Sequence, residues 1–291
     1  MTRGMATVAA AVTEARSRFS EAGLPDAAIE ARLLIGGLLG LTNTEVFTGG
    51  DRVLSDDERT RITNVIDRRL KREPVHRILG IREFHGMDLL ISRETLEPRP
   101  DTEILVDCLL PHVRQIVAAK GAAKLLDLGT GTGAIILALL KESPEAIGTG
   151  SDISEDALRT AAENAARTGL SARFETIRSD WFKNISGRFD IIVSNPPYIR
   201  SDVIPSLEPE VRDFDPPAAL DGGPDGLFAY RAIAADVGDF LEKDGVIGVE
   251  IGFDQKEAVT AIFRSSGFRL VQAARDYGDN DRVLVFTVDG P

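Results

Sequence analysis

Asn195-Pro196-Pro197-Tyr198 closes the apolar run Ile191-Ile192-Val193-Ser194 with an unusual set of hydrogen-bond acceptors. Each proline removes a backbone donor and fixes φ, and Pro196 also drives Asn195 out of the helical region. The result is a stiff loop presenting the Asn195 side-chain carbonyl and the Pro196 backbone carbonyl with no amide hydrogen between them. Such a pair suits a planar NH2 group, one acceptor for each N–H. Tyr198 adds a ring face on which a planar group can stack. Taken alone, the four residues equally describe a proline-rich turn leaving a buried strand.

Upstream, Lys124-Leu125-Leu126-Asp127-Leu128 runs into Gly129-Thr130-Gly131-Thr132-Gly133, and the apolar stretch from Ala134 to Leu140 follows. A buried strand, a glycine loop and a helix in that order form the opening unit of a nucleotide-binding α/β sheet. The third glycine of a dinucleotide fingerprint would fall at Ala134, so the NAD pattern is imperfectly matched. Asp152, 23 residues after Gly129, lies at the end of a second strand, where its carboxylate can accept bonds from both hydroxyls of a ribose. That suits NAD and S-adenosylmethionine equally. Ser179-Asp180-Trp181 after a third strand, with Asn195-Pro196-Pro197-Tyr198 after a fourth, favours the second cofactor.

With these segments together, the chain resembles the PrmC/HemK family, the N5-glutamine methyltransferases of class I peptide-chain release factors. Glu97-Pro98-Arg99-Pro100-Asp101-Thr102-Glu103, Asp127 to Gly133, Ser179 to Phe182, Ser194 to Ile199, Glu250-Ile251-Gly252 and Arg275 to Arg282 all look like segments of that family. The similarity runs from about Pro74 to Phe286 and weakens before it. The resemblance implies methyl transfer from S-adenosylmethionine to the glutamine amide of the Gly-Gly-Gln loop of a release factor, without a metal. It places Asn195, Pro196 and Tyr198 in catalysis and Asn195, Pro196, Pro197 and Tyr198 on the substrate. Gly129, Thr130, Gly131, Thr132, Gly133, Asp152, Trp181 and Asn195 fall on the cofactor. Several roles stay open. Asp127 suits either the cofactor's amino end or the glycine loop itself, and Trp181 either flanks an adenine or packs. Arg99 and Glu103 suit closure over the cofactor or surface ion pairs, and Glu250 an edge-of-site carboxylate or a strand-end pair. An enzyme methylating an exocyclic base amine, and a non-catalytic S-adenosylmethionine-binding partner protein, are the competing readings.

Composition narrows the choice. The chain has 291 residues, 43% of them hydrophobic, enough for about two domains. Cys108 is the sole cysteine, which excludes an intrachain disulfide and a thiolate metal cluster, and the three histidines are scattered. No apolar run reaches the ~18 residues of a membrane span, and Glu14 and Arg16 break the N-terminal small-residue stretch, so a cytoplasmic protein is expected. Net charge is −12, carried wholly by residues 76–291, whereas residues 1–75 balance 11 bases against 11 acids. A phosphate-gripping surface would be basic, so direct nucleic-acid binding is not expected.

The elements that must position these groups divide the chain in three. Residues 1–75 read as a helical substrate-recognition domain, with segments from Ala6 to Phe19, Pro25 to Leu39 and Asp56 to Arg72, the last opened by a Ser55/Glu58 capping box. Residues 76–93 read as a β-hairpin linker, Ile78 to Phe84 and Met87 to Ile91 around His85-Gly86. Residues 94–291 alternate strands and helices, which implies α/β architecture with a mostly parallel sheet. Seven strands are expected, the last antiparallel, as in the class I (Rossmann-like) methyltransferase fold. Residues 200–225 hold seven acids and five prolines and read as a largely non-helical loop, suited to facing basic surroundings of a release factor or simply to solvation.

Overall fold

The computed structural model describes residues 5–289 and comprises two compact units. The first takes residues up to Ile81 together with Pro209–Phe214, and the second takes Arg82–Glu208 with the rest of the chain from Asp215. Among the described residues no helix is long and apolar enough to cross a membrane.

The first unit is helical: Val8–Glu21, Ala27–Leu39, Asn43–Thr48, Asp56–Leu70 and Val75–Leu79. Phe19, Leu34, Ile35, Ile62 and Ile66 form its core, each fully buried. The Ser55/Glu58 capping box is present, with Ser55 N donating to Glu58 (2.8 Å) and Glu58 N to Ser55 Oγ (3.2 Å). A second box, Thr42 with Glu45, starts the short Asn43–Thr48 helix that the apolar pattern does not reveal. Caps of this kind are worth about 1 kcal/mol each. Arg69 is buried within this unit, its guanidinium held by Glu30 (2.8 and 3.0 Å) and by Glu210 (3.0 Å) of the Pro209–Phe214 segment. Val75–Leu79 is a helix rather than the start of the hairpin. Pro74 stands at its N-cap, where a missing N–H costs nothing, and Gly80 ends it at φ 73°.

β1 (Ile81–Phe84), whose first residue is counted with the first unit, and β2 (Met87–Leu90) make the hairpin, turning through His85 and Gly86 at φ 49° and 68°. Two consecutive left-handed residues are the signature of a turn whose twist matches its strands. The main sheet follows: β3 (Ala123–Leu128), β4 (Ala146–Asp152), β5 (Phe174–Arg178), β6 (Phe189–Ser194), β7 (Leu241–Glu250), β8 (Phe268–Arg275) and β9 (Asp281–Val288). Their order is β5-β4-β3-β6-β7-β9-β8; β9 alone runs antiparallel to both its neighbours, which confirms the expected architecture.

Adjacent residues on the central strands serve opposite faces. Leu125, Ile191, Val193 and Val285 pack with helix Glu103–Lys120 and helix Ala134–Glu142, whereas Leu126, Ile192, Leu284 and Phe286 pack with Tyr230, Ile233 and Phe263. Continuous apolar strands covered on both sides are what a parallel sheet requires. The strand order reverses at β3, so the carboxyl ends of β3 and β6 flank the crevice where α/β sheets take ligands.

Candidate active site

Parallel pairing sets Leu128 opposite Ser194, and Ser194 Oγ donates to Leu128 O (2.7 Å). The glycine loop and Asn195 therefore leave the sheet side by side. Gly129, Gly131 and Gly133 have φ of 70°, 54° and 80°, a backbone path that side chains resist. Thr130 and Thr132 are buried within it. Asp127, the penultimate residue of β3, is buried, with Oδ2 accepting from Thr130 Oγ1 (2.8 Å). Its Oδ1 is buried without a hydrogen-bond partner. Burial pushes this carboxyl up to about 7 against the pull of the Thr130 hydroxyl, and the Asp152 charge adds to the rise. Asp127 thus both holds the loop and retains an acceptor.

Asp152 ends β4 with Oδ2 accepting from Gly131 N (3.0 Å) and Oδ1 from Ser154 N (2.9 Å); burial raises its carboxyl above the usual range. Ser179 N donates to Asp152 O (3.0 Å), which brings the third loop beside the second strand end. There Trp181 sits at φ 51°, a conformation costing about 1–2 kcal/mol for an L residue. Ser179 Oγ holds it by donating to Trp181 O (2.7 Å). The indole is half-buried and packs against the cluster containing Phe182 and Ile192.

Asn195 is tied from behind. Its Nδ2 donates to Thr102 Oγ1 (3.3 Å), and Thr102 donates in turn to Glu250 Oε2 (2.6 Å). Tyr198 OH donates to Glu250 Oε1 (3.2 Å), while Arg282 Nη1 reaches that hydroxyl at 3.5 Å. Glu250 is buried; burial raises its carboxyl, opposed by the Thr102 hydroxyl, the Arg282 charge and the Tyr198 hydroxyl. Burial, then Glu250, drives the Tyr198 phenol far above its ordinary range, which keeps it a proton donor. Arg282 is itself fixed by Asp276 (2.8 Å), whose carboxyl it holds down at about 2. Among the described residues nothing donates to Asn195 Oδ1 or to the Pro196 carbonyl.

The far side of the motif is clamped by the Gln255 side chain and by closely approaching backbone. Gln255 Nε2 donates to Tyr198 O (3.0 Å) and to Gly226 O (3.2 Å). A Cβ on Gly226 would lie 2.5 Å from Tyr198 O, and one on Gly222 2.8 Å from Tyr198 Cα, so only glycine lets the returning chain close on the motif.

Arg99 pairs with Asp215 (2.7 Å) and Glu103 accepts from His85 N (2.9 Å), so both have structural partners. The 200–225 segment is more ordered than expected. Ile204–Ser206, Pro209–Arg212 and Pro217–Leu220 are single helical turns, because a proline is accepted at the first positions of a helix. Most of its acids are held locally: Asp202 by Arg200, Asp213 by Arg212, Asp215 by Arg99, Asp225 by Arg231, and Glu210 by Arg69 and Arg72. Local neutralisation leaves less field for steering a substrate than the bare charge count implies.

Three site-supporting residues escape sequence reasoning. Thr102 carries no signal beyond its place in the segment from Glu97 to Glu103. Gln255 looks like an ordinary start to the helix Lys256–Ser265. Asn164 is fully buried in the helix Glu155–Arg167; its amide donates to Thr132 O (2.9 Å) and Leu90 O (3.0 Å) and accepts from Leu90 N (2.7 Å). A polar residue on the apolar stripe of that helix was the available clue. Among the described residues no three His, Cys, Asp or Glu side chains gather as metal ligands would. The Cys108 thiol is buried and pushed up to about 11.

Comparison with known proteins identifies the family and agrees with the fold. The family described as "PrmC N-terminal domain" matches residues 10–80, and that described as "Methyltransferase small domain" matches residues 100–205. The chain is 62% identical over 283 residues to a release factor glutamine methyltransferase of Agrobacterium fabrum, covering 97% of this chain and 98% of that one. It is 42% identical to a protein of the same name from Caulobacter vibrioides, with 96% of each covered. Among solved structures, a methyltransferase from Pyrococcus furiosus superposes with TM-score 0.53 at 18% identity, over 71% of this chain and 90% of that one. The hMettl16 catalytic domain, solved with the MAT2A 3′UTR hairpin 6, gives 0.55 at 16%, over 83% and 87%; both show the fold alone. By its near full-length identity to the curated relatives, the chain belongs to the release factor glutamine methyltransferase family.

Proposed function

We propose that the chain methylates the side-chain amide nitrogen of the glutamine in the Gly-Gly-Gln loop of class I release factors, with Asn195 and Pro196 holding the amide. One observation carries this reading. Asn195 Nδ2 is taken by Thr102, so its Oδ1 is the end left to face a ligand, next to the Pro196 carbonyl and the glycine loop.

The residues present fit S-adenosylmethionine. The unpartnered Asp127 Oδ1 suits its α-ammonium, Asp152 its ribose, and the positive-φ glycines let backbone approach closely. When bound, it supplies the methyl group: the C–S bond breaks as the N–C bond forms, leaving a neutral thioether, and the nitrogen sheds a proton to water. The protein's part is to hold the nitrogen in line and to favour the form in which its lone pair withdraws from the carbonyl. Two acceptors aimed at the two N–H groups do this, because those hydrogens become more acidic as the nitrogen attacks. No strong base is needed before attack. Tyr198, its hydroxyl anchored to Glu250, presents the ring edge of the cleft and fixes the motif's exit.

The helical unit supplies substrate recognition. Phe47 is 82% exposed and Ile29 51% exposed, and both line one hollow with Leu33 and Arg32. Adjoining exposed apolar side chains of this kind give a partner an apolar surface to cover. The setting is the cytoplasm, where release factors act, and the net charge of −12 carried by residues 76–291 weighs against a phosphate-gripping surface.

Incubation with labelled methyl donor and, separately, release factor, DNA and rRNA tests the assignment. Label should appear on the release-factor glutamine and nowhere else. Label confined to nucleic acid would overturn it.

A further inference from the structure

We infer that Thr102 and Glu250 are positioning residues that decide which end of the Asn195 amide faces the substrate glutamine. The inference rests on the reading of Asn195 as the substrate's acceptor and extends it.

An asparagine amide is nearly symmetric in shape and opposite in chemistry at its two ends. Turned by half a rotation, Asn195 would offer N–H groups to the substrate NH2 and repel it. Neither proline restrains that rotation, since both act on the backbone. What restrains it is proton bookkeeping behind the side chain. Burial disfavours the charge on Glu250, but the Arg282 charge and the two hydroxyls favour it; as a carboxylate it has no proton to give and accepts from both neighbours, its two oxygens lying 2.6 Å from Thr102 Oγ1 and 3.2 Å from Tyr198 OH. A threonine hydroxyl has one proton. With that proton committed to Glu250, Thr102 can only accept from Asn195, which selects Nδ2 at 3.3 Å and turns Oδ1 outward. Thr102 and Glu250 are both buried, so water does not compete for either role. Arg282, 3.5 Å from the Tyr198 hydroxyl, acts as a donor there and leaves that phenol proton directed at Glu250. The carboxylate's charge state thus reaches the site as a fixed direction of an uncharged amide. The chain of donors runs from β7 through the Pro100–Thr102 turn to the end of β6.

Two substitutions separate this from simple packing. Thr102→Val keeps shape and removes the hydroxyl, whereas Thr102→Ser keeps the hydroxyl. Glu250→Gln keeps shape and introduces a donor. Its NH2 faces Thr102, because the Tyr198 phenol still needs an acceptor; the Thr102 proton is then freed to bond Asn195 Oδ1, and the Asn195 amide turns over. Thr102→Val and Glu250→Gln should lower kcat roughly 10- to 100-fold. KM for the release factor, affinity for S-adenosylhomocysteine and Tm should change little, and Thr102→Ser should restore most of the rate. In solution NMR the Asn195 side-chain amide protons should shift in both slow variants and not in Thr102→Ser. Asn195→Ala serves as the reference. If it is slow while Thr102→Val and Glu250→Gln turn over normally, the positioning role is wrong and the acceptor reading stands. If Asn195→Ala turns over normally, the acceptor reading fails and this inference with it. Should Thr102→Val fail to fold, Glu250→Gln decides alone.

Discussion

The two edges of the cleft are prepared in opposite ways. At the glycine loop a buried carboxylate, Asp127, keeps one oxygen without a partner and sits near neutrality at about 7. At the Asn195 edge a buried carboxylate, Glu250, has both oxygens occupied and presents nothing to a ligand directly. The first stores an unmet need that a cationic ligand can satisfy. The second spends its capacity in advance, to fix a neutral group. On the proposed function, the site has one carboxylate to meet a charged cofactor and another to orient an uncharged amide.

The largest test of this contrast is Asn195→Ala. It should lower turnover about 100-fold or more, as loss of a preorganised partner does, with cofactor affinity falling much less. Single-turnover methylation at near-normal rate would erase the distinction between the edges. Next, Asp152→Ala should weaken cofactor binding by about 1.5–3 kcal/mol, the scale of hydrogen bonds to a charged group, and calorimetric titration with S-adenosylhomocysteine reads this directly.

A sharper version uses pH. With the Asp127 carboxyl at about 7 in the free protein, a bound ammonium favours its ionised form. Binding should therefore tighten as pH rises from 6 towards 7, by at most about tenfold per pH unit, and level off above. Stability of the free protein carries the reverse sign. A raised carboxyl contributes stability that is fully present below the ordinary carboxylate range and is lost as pH rises through about 7. Asp127→Asn should flatten both profiles, and a wild-type slope in that variant would assign the titration elsewhere. The smallest expected change is a control that touches neither edge. Phe47→Asp should raise KM for the folded release factor roughly tenfold, the weight of one apolar anchor at about 1.5 kcal/mol, while a short glutamine peptide is methylated at the same rate. Equal losses on both substrates would make the hollow structural.

Much of the cleft is legible in sequence because strand ends announce themselves. Leu125-Leu126-Asp127-Leu128 and Ile191-Ile192-Val193-Ser194 are apolar runs cut short by glycine or proline: β3 ends directly before Gly129, and β6 ends with only Asn195 between it and Pro196. Register is not legible: nothing in either run says that Leu128 faces Ser194, yet that pairing brings the two loops together. Partners supplied from afar are equally silent. Thr102 lies 93 positions before Asn195 and Glu250 a further 148 beyond Thr102, so neither spacing carries a local pattern. Short elements set by one residue also escape, as Val75–Leu79 does between Pro74 and Gly80. Periodicity needs several turns to register, and caps do not.

Arg69 has a further consequence. It bonds a carboxylate 141 positions downstream, so the helical unit is assembled from two separate stretches of chain. Breaking a buried ion pair from one side costs about 3–5 kcal/mol. A chimera that exchanged only residues up to Ile81 between two relatives would set one parent's helices against the other parent's Pro209–Phe214. Any exchange of the helical unit must therefore treat it as two linked parts: Glu30 and Arg69 on one stretch of chain are tied by charge to Glu210 on another, which follows Asn195-Pro196-Pro197-Tyr198.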